Sequence, residues 1–547
     1  MTDTPAANEA AARAAPSRGG QIARSTVVVM VAFGLAKAIS LAQTFIIAQV
    51  FGVGREWDAF VTANSIPELI FTLVAGGALA HAFIPVFGGF LARGDTAGAW
   101  KVASHVVNTI FAVTLLISII AFFIAPWLVS TIVAPGFDAA NQAQTVELMR
   151  ILLISTLIFS VSGIVMGMLQ SFNHFLLPAL APIMFDVGIL FGVIFLTRPL
   201  GVHGIAIGAV LGAALHFAIQ VPGLIRFRAR WTPELGFRDP EFWRIIRLML
   251  PRIAGLGVFS FNFIIMNNIA SRMGEGSVSA LSWGWRLMQI PQTLIGTAMG
   301  TVIFPTLAAL SAMGDENGKR DAMSGALRFI LIASIPAAVG LIVVGRPLIS
   351  LLERGAFDAS ASAFVYSTLQ GFALGLIVHS MLEVVARSFY ADKDTLTPLW
   401  AALIGAAINL TLSFLLTGIL TAPSDGTAVA GNVGGLAWAN SIGTAFEVLI
   451  LLFWLRRRWH GVNQSQLAAT TVKTLAASLI MALAILAVEA LWTALGLDGR
   501  GLAFTMIEIG ITVVIGGVVF LVSAWLLKLD ELGMLLNLVR RRKVATA

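Results

Sequence analysis

Long apolar runs separated by short polar segments fill the chain from residue 25 to residue 527. Each run can cross the hydrocarbon core of a bilayer as an α-helix, which takes about 20 residues. The pattern predicts an all-α polytopic membrane protein with about 14 transmembrane helices. The predicted spans are 25–51, 58–90, 102–133, 149–172, 176–197, 202–225, 248–271, 277–311, 323–345, 361–390, 395–420, 430–455, 468–494 and 502–527.

The composition excludes several other classes of protein. Of 547 residues, 58% are apolar and 12% are charged, whereas soluble domains carry about 25% charged residues. The chain has no cysteine, which excludes disulfides and thiolate metal sites. Its seven histidines show no helical metal-ligand spacing, so we expect no metal site and no cofactor.

The distribution of positive charge predicts the orientation in the membrane. With an even number of spans and both termini in the cytoplasm, most lysines and arginines fall in cytoplasmic segments, as the positive-inside rule requires. The net charge of +7 therefore reflects topology and not nucleic-acid binding. The opposite ends hold a short list of arginines: Arg55, Arg150, Arg198, Arg272, Arg346, Arg354 and Arg500.

The two halves of the chain resemble each other. The segment DAFVTANSIPELIFTLVAGGALAHAFIPVF from Asp58 matches SALSWGWRLMQIPQTLIGTAMGTVIFPTL from Ser279, and two shorter collinear matches follow from Gln170 and Gly204. Because each repeat has six spans, both halves insert in the same direction. The pattern indicates two six-helix lobes related by a pseudo-two-fold axis along the membrane normal, an architecture of transporters with the substrate site between the lobes.

The repeat and the polar segments together predict the domain organisation. The predicted parts are a disordered cytoplasmic tail (1–24), an N-terminal lobe (25–226), a cytoplasmic linker with an interfacial amphipathic helix (227–247), a C-terminal lobe (248–460), two appended helices (461–527) and a basic cytoplasmic tail (528–547). The glycines at 204, 208 and 212 have the spacing of a close helix–helix contact.

No arrangement of residues in the chain indicates catalysis. The closest approach to a nucleotide-binding loop, GDENGKR from Gly314, lacks the required glycine spacing and the hydroxyl after the lysine. The predicted outside segments carry only scattered acids. We therefore expect a protein that is not an enzyme and has no catalytic residues.

Two positive side chains lie inside predicted spans. Lys37 is near the middle of the first span and Arg286 is well inside the eighth, where a lipid-facing charge costs about 2.5–3.5 kcal/mol. They predict an anion site with one cation from each lobe. The alternatives are a buried structural ion pair or, for Lys37, snorkelling of the side chain to the interface.

Acids and prolines in the apolar runs supply further candidates. Glu68, Asp186 and Glu383 can carry a proton or a coupling cation, or can pair with the buried cations. Pro67 and Pro291 occupy matching positions in the two repeats, which favours paired hinges or cavity walls.

Several segments taken together resemble the MurJ/MviN lipid II flippases. The resemblance is carried by FGVGREWDAFVTANSIPELIFTLVAGGALAHAFIPVF, RLMQIPQTLIGTAMGTVIFPTLAAL, LLERGAFDAS and ARSFYADKDTLTP, and covers residues 25–460. It implies the multidrug/oligosaccharidyl-lipid/polysaccharide exporter fold, with the last two helices forming a groove for a lipid tail. It also implies alternating access and transfer of an undecaprenyl-diphosphate-linked peptidoglycan precursor to the outer leaflet of the bacterial inner membrane.

The resemblance also implies substrate-binding residues, with departures from the family pattern. The cavity arginine of span 8 is kept as Arg286 and the aspartate of the first external loop is kept as Asp58, while Lys37 stands where the family has an arginine. Gln43 and Gln289 fall on positions of other charged cavity residues.

The loss of cavity arginines leaves other functions open. One alternative is an exporter of another polyprenyl-linked glycan, and a second is an ion-coupled exporter of drugs or cations with the same fold. A third is a non-transporting paralogue that scaffolds cell-wall synthesis enzymes. The expected partners are lipid II or a related glycan, membrane lipids and cell-wall enzymes, and not nucleic acid.

The orientation can be tested by cysteine labelling because the chain has no native cysteine. We expect a membrane-impermeant maleimide added to intact cells to label Glu56→Cys and to spare Arg457→Cys until the membrane is permeabilised. The opposite pattern of labelling would reverse the predicted topology.

Overall fold

The protein is represented by a computed structural model that describes residues 38–74, 77–418, 432–459, 463–497 and 501–529. In these ranges the chain is a succession of helices. The helices of the first repeat are α1 (Ala38–Phe51), α2 (Arg55–Val74), α3 (Gly77–Ala92), α4 (Thr96–Val133), α5 (Ala139–Ser171), α6 (Leu176–Leu200) and α7 (His203–Arg226).

The second repeat and the appended pair follow in the same order. Their helices are α8 (Pro240–Ser271), α9 (Ser277–Met313), α10 (Glu316–Val343), α11 (Gly345–Ser350), α12 (Ala359–Ala391), α13 (Leu396–Thr417), α14 (Gly434–Arg458), α15 (Gln464–Ala494) and α16 (Leu502–Leu526).

Twelve helices of the described residues are long and apolar enough to cross a membrane. The all-helical, multi-pass architecture predicted from the sequence is therefore confirmed. The first two predicted spans correspond to α1 and to α2 with α3, which are shorter or less apolar in the part of the chain that the structure describes. The count of fourteen stays a prediction, as do the terminal tails, most of whose residues lie outside the described ranges.

The chain divides into two compact units. The first contains residues 1–47, 66–123 and 147–250, and the second contains residues 48–65, 124–146 and 251–547. Two segments of the first repeat, 48–65 and 124–146, belong to the second unit. The lobe boundaries at 25–226 and 248–460 remain a prediction.

Glycines bring α6 and α7 into close contact in the first unit. A Cβ on Gly188 would lie 2.2 Å from the Cα of Gly212, and one on Gly208 would lie 2.7 Å from the Cα of Gly192. Backbones can approach this closely only where side chains are absent. The predicted packing role of the glycines at 204, 208 and 212 is confirmed.

The predicted linker is fixed to α4 in the first unit. Both ring nitrogens of His105 contact carboxylates of the linker, Asp239 at 2.6 Å and Glu234 at 3.1 Å. One turn later, Asn108 Nδ2 donates to the carbonyl of Thr232 at 2.7 Å. The chain then enters α8, which continues without a break from Pro240 through the predicted interfacial helix into the membrane span.

One core of the second unit lies among α9, α10, α12 and α14, where Leu307, Leu327, Val384 and Leu451 are fully buried. A second core joins α15 and α16 to α10, around Ile332, Ala477, Ile485 and Phe520. The appended helices therefore pack on the second repeat.

Two acids of the turn between α12 and α13 fasten the helix ends of the second unit. Asp392 accepts hydrogen bonds from Lys319 Nζ at 3.0 Å and from Ser311 Oγ at 2.6 Å. Burial raises the pKa of Asp394, but hydrogen bonds from Thr397 and Arg458 outweigh burial and hold that pKa below its usual value. Asp394 therefore remains ionised at neutral pH.

Candidate functional site

The beginning of α2 caps the beginning of α9. Asp58 is 1% exposed, and its carboxylate accepts hydrogen bonds from the amides of Gly276 at 2.7 Å and Ser279 at 2.6 Å, and from Ser279 Oγ at 2.5 Å. The first amides of a helix have no partner within it, and a carboxylate there also interacts favourably with the helix dipole. A residue 218 positions earlier in the chain therefore completes the N-terminus of α9.

Two fully buried tryptophans pack beside this cap. The rings of Trp57 and Trp283 are stacked with centroids 5.4 Å apart. Trp283 Nε1 donates to the carbonyl of Gly52 at 3.1 Å. Gly52 has φ +59°, and a Cβ there would lie 2.1 Å from the carbonyl oxygen of Ala356. Only glycine allows this approach of the chain after α1 to the loop before α12.

Further contacts extend the same packed region. Arg55 forms an ion pair with Asp138, and Asn268 Nδ2 donates to the carbonyl of Ile132 at 2.6 Å. The amide of Ala356 donates to the carbonyl of Gln49 at 2.9 Å. We call segments 49–58, 132–138, 268–286 and 354–357 the cross-repeat junction, because the first two come from the first repeat and the last two from the second. All four belong to the second compact unit.

Arg286 lies at the edge of this junction. Its guanidinium carbon is 5.8 Å from the ring centroid of Trp57 and 6.0 Å from that of Trp283, a distance at which a cation interacts with the face of an aromatic ring. Arg286 is an exposed residue, and Gln289, one turn further along α9, is exposed on the same face. The arrangement offers a cation and an amide to an anion on this face of α9.

The other predicted substrate-binding residues fall in different places. Lys37 lies outside the described residues, so its convergence with Arg286 stays a prediction. Gln43 is 8% exposed on α1 and belongs to the first compact unit. Asp58, predicted to bind substrate, directs its carboxylate to α9, as described above.

The three candidate coupling acids have different environments. Glu68 is exposed on α2, and Asp186 is half-buried on α6. Glu383 forms an ion pair with Arg387, with Oε2 and Nη2 separated by 3.0 Å. Arg387 also approaches Thr301 Oγ1 at 3.4 Å. Glu68 and Asp186 belong to the first compact unit and Glu383 belongs to the second.

Both hinge candidates lie where a helix departs from regular geometry or changes its packing. Pro67 is inside α2, one residue after Ile66, at which the chain passes from the second compact unit into the first. Pro291 in α9 is followed directly by a π-helical turn at Thr293–Thr297. Helices bend at prolines and at π-turns because the regular ladder of hydrogen bonds is interrupted there. The hinge role itself stays a prediction.

Comparison with known proteins identifies the family. Residues 47–527 match the family model described as lipid II flippase MurJ. The chain is 30% identical to the probable lipid II flippase MurJ of Rhizobium tropici over 523 residues, 93% of this chain and 95% of the relative. The chain belongs to the MurJ lipid II flippase family. It is also 29% identical to the lipid II flippase MurJ of Burkholderia cenocepacia, over 78% of this chain and 82% of the relative.

Solved structures of the MurJ family and its superfamily share the fold. A lipid II flippase MurJ in an inward closed conformation matches with a TM-score of 0.75 and 24% identity, over 92% of this chain and all of that chain. An inward-facing multidrug resistance transporter of the MATE family matches with a TM-score of 0.66 and 15% identity, over 78% and 94% of the two chains. The family resemblance and the superfamily fold predicted from the sequence are thus confirmed.

The sequence reasoning missed most of the junction. It identified Asp58 from the family resemblance but not its partners at α9, and it did not select Trp57, Trp283 or Arg55. The signal that could have found them is the pair of matching segments beginning at Asp58 and Ser279. Corresponding surfaces of two pseudo-symmetric lobes often meet near the axis that relates them.

Removal of the Asp58 carboxylate should loosen the junction. Loss of a buried hydrogen-bonding partner costs about 1–3 kcal/mol, so we expect Asp58→Ala to increase the population with an open junction by about tenfold. In a Val278→Cys background, whose position is 0% exposed, a maleimide should react about tenfold faster after Asp58→Ala.

The matched control is Glu241→Ala in the same background, because Glu241 lies outside the junction. Its ion pair with Arg244 is exposed, at 35% for the Glu241 side chain and 66% for that of Arg244, and exposed pairs contribute little. We expect this variant to change the labelling rate less than twofold. Equal rates for Asp58→Ala and the parent would contradict the capping role.

Proposed function

We propose that this protein is a flippase that carries lipid II from the inner to the outer leaflet of the bacterial inner membrane by alternating access. Membership of the MurJ family supports the activity and the substrate. The observation that carries the site assignment is Arg286, an exposed guanidinium on the junction face of α9 above a pair of stacked tryptophans.

Arg286 is suited to the diphosphate of the substrate. A guanidinium donates paired hydrogen bonds to phosphate oxygens and stays charged at all physiological pH values. Gln289, exposed one turn away, supplies an amide for a further oxygen. Lys37, which belongs to the first repeat, is the proposed second cation. Its ammonium would balance the remaining negative charge of the diphosphate.

The cross-repeat junction is the proposed external gate. With both termini in the cytoplasm, the loops of the junction lie on the outer side of the membrane. Asp58 and the stacked tryptophans then hold that side closed while the substrate enters from the cytoplasmic leaflet. Release of the substrate to the outer leaflet requires Asp58 to separate from the N-terminus of α9. Pro67 and Pro291 are the proposed points at which α2 and α9 bend.

The lipid tail is proposed to stay beside the appended helices. One face of α15 packs on α10 through Ala477 and Ile485. Other positions on α15 and α16 are apolar and exposed: Leu479, Leu483, Leu486, Val514, Val518 and Leu521. Such a surface matches acyl or isoprenoid chains, because it has no polar group to desolvate. A partnership with cell-wall synthesis enzymes is part of the same proposal.

The alternatives are less well supported than the flippase assignment. The MATE-family exporter matches the fold at 15% identity, whereas relatives called lipid II flippases match at 29–30% over most of the chain. Among the candidate coupling acids, Glu383 is already paired with Arg387. The driving energy is proposed to come from the membrane potential or an ion.

Substitution of Arg286 tests the proposal directly. In a host depleted of its own copy, we expect Arg286→Ala to lower the lipid II accessible to an added membrane-impermeant lipid II-cleaving enzyme by at least tenfold, because one charged hydrogen-bonding partner contributes about 1.5–3 kcal/mol. Arg286→Lys should retain intermediate activity, since it keeps the charge but loses the paired donors.

The matched control is Arg198→Ala, an exposed arginine on the same predicted side of the membrane. We expect the amount of lipid II accessible to the added enzyme to be the same for Arg198→Ala as for the parent protein. Full activity of Arg286→Ala at parental expression would refute the role of Arg286, and undiminished outward lipid II on depletion of the whole protein, in a host without another flippase, would refute the activity itself.

A further inference from the structure

A separate cavity, which Arg286 does not line, lies in the second unit. It has a volume of about 670 Å³ and is lined by α11, the loop before α12, the start of α12 and the start of α16. These elements all lie at helix ends that the predicted topology places on the outer side of the membrane. The volume is in the range of pockets that hold small molecules.

The cavity is lined by both signs of charge. Arg346 and Arg354 supply two guanidiniums, and Glu353 and Glu508 supply two carboxylates. Within the described part of the chain, Arg346, Arg354 and Glu353 form no ion pair. Because Arg346, Arg354 and Glu353 share the cavity without pairing, these three side chains keep hydrogen-bonding capacity for a ligand that carries both charges.

Two further details show that the cavity is built rather than incidental. The guanidinium of Arg346 lies over the ring of Tyr366 at 5.2 Å, and the Tyr366 hydroxyl is itself held by the carbonyl of Ile342 at 2.7 Å. Ser362 is 8% exposed, and its buried hydroxyl forms no hydrogen bond within the protein. A buried hydroxyl without a partner is costly, and a polar ligand group in the cavity would supply one.

The surroundings of the cavity indicate an amphiphile. Helix α16 contributes Leu502 and Thr505 to the lining. Along the same helix, Met506, Ile507 and Val513 are between 51% and 58% exposed. A ligand with its head group among the charged side chains can therefore lay an apolar chain along α16.

We infer that this cavity binds the head group of a zwitterionic aminophospholipid. Arg346 and Arg354 would hold the phosphodiester through paired donors, and Glu353 would accept a hydrogen bond from the ammonium. Ser362 would donate to a phosphate oxygen. The bound lipid would link the start of α16 to α11 and α12, and so couple the appended helices to the second repeat. The inference depends on the membrane location of the chain and not on which substrate it transports.

Binding can be measured on the purified full-length protein in detergent after removal of native lipid. Native mass spectrometry with added dioleoyl-phosphatidylethanolamine should show one saturable site. We expect Arg346→Gln with Arg354→Gln to weaken that binding by at least tenfold, and Ser362→Ala to weaken it by severalfold without lowering the Tm. Arg198→Gln is the matched control and should bind as the parent does.

Competition between ligands shows whether the cavity selects an aminophospholipid, another phospholipid or free phosphate. Dioleoyl-phosphatidylglycerol, which lacks the ammonium, should bind several times more weakly than the aminophospholipid, and millimolar inorganic phosphate should not displace the lipid. Parental binding by the double variant with an unchanged Tm would overturn the site. Tighter binding of undecaprenyl diphosphate than of the aminophospholipid would overturn the lipid class and assign the cavity to a polyprenyl diphosphate.

Discussion

The carboxylate of Asp58 is the contact on which the rest of the site depends. It accepts hydrogen bonds from the amides of Gly276 and Ser279 at the start of α9, where the first amides of a helix have no partner within the helix. Because the donor helix and the capping residue come from different repeats, the N-terminus of α9 is complete only while the junction is assembled. A helix cap of this kind is strong when closed and leaves unsatisfied groups when open, which makes it suitable for a gate with two states.

This dependence relates the position of Arg286 to the state of the junction. Arg286 follows the capped turn of α9 and lies over Trp57 and Trp283. Separation of the two tryptophans would remove one of its aromatic neighbours and change its surroundings. In the proposed mechanism, opening of the junction would change the affinity of Arg286 for an anion, as alternating access requires. The π-turn that follows Pro291 gives α9 a place to bend without loss of its whole hydrogen-bond ladder.

The sequence predicted helices more successfully than contacts. Apolar runs located the spans because the thickness of the bilayer fixes their length, and the energetic cost of a buried charge singled out Arg286. The role of Asp58 in capping α9 depends on a contact across 218 positions, which periodicity does not encode. The fixing of the linker by His105 was missed for the same reason, since hydrophobic pattern carries no information about polar partners in a distant loop.

The central claim is that the junction opens during transport. It is tested most directly by double electron–electron resonance on the protein in liposomes. The measured distance joins spin labels at Glu56→Cys and Arg272→Cys, both exposed positions of the junction. The account predicts one short distance in the resting protein and a second, longer population when lipid II is supplied for turnover. A single distance that stays unchanged throughout active transport would contradict it.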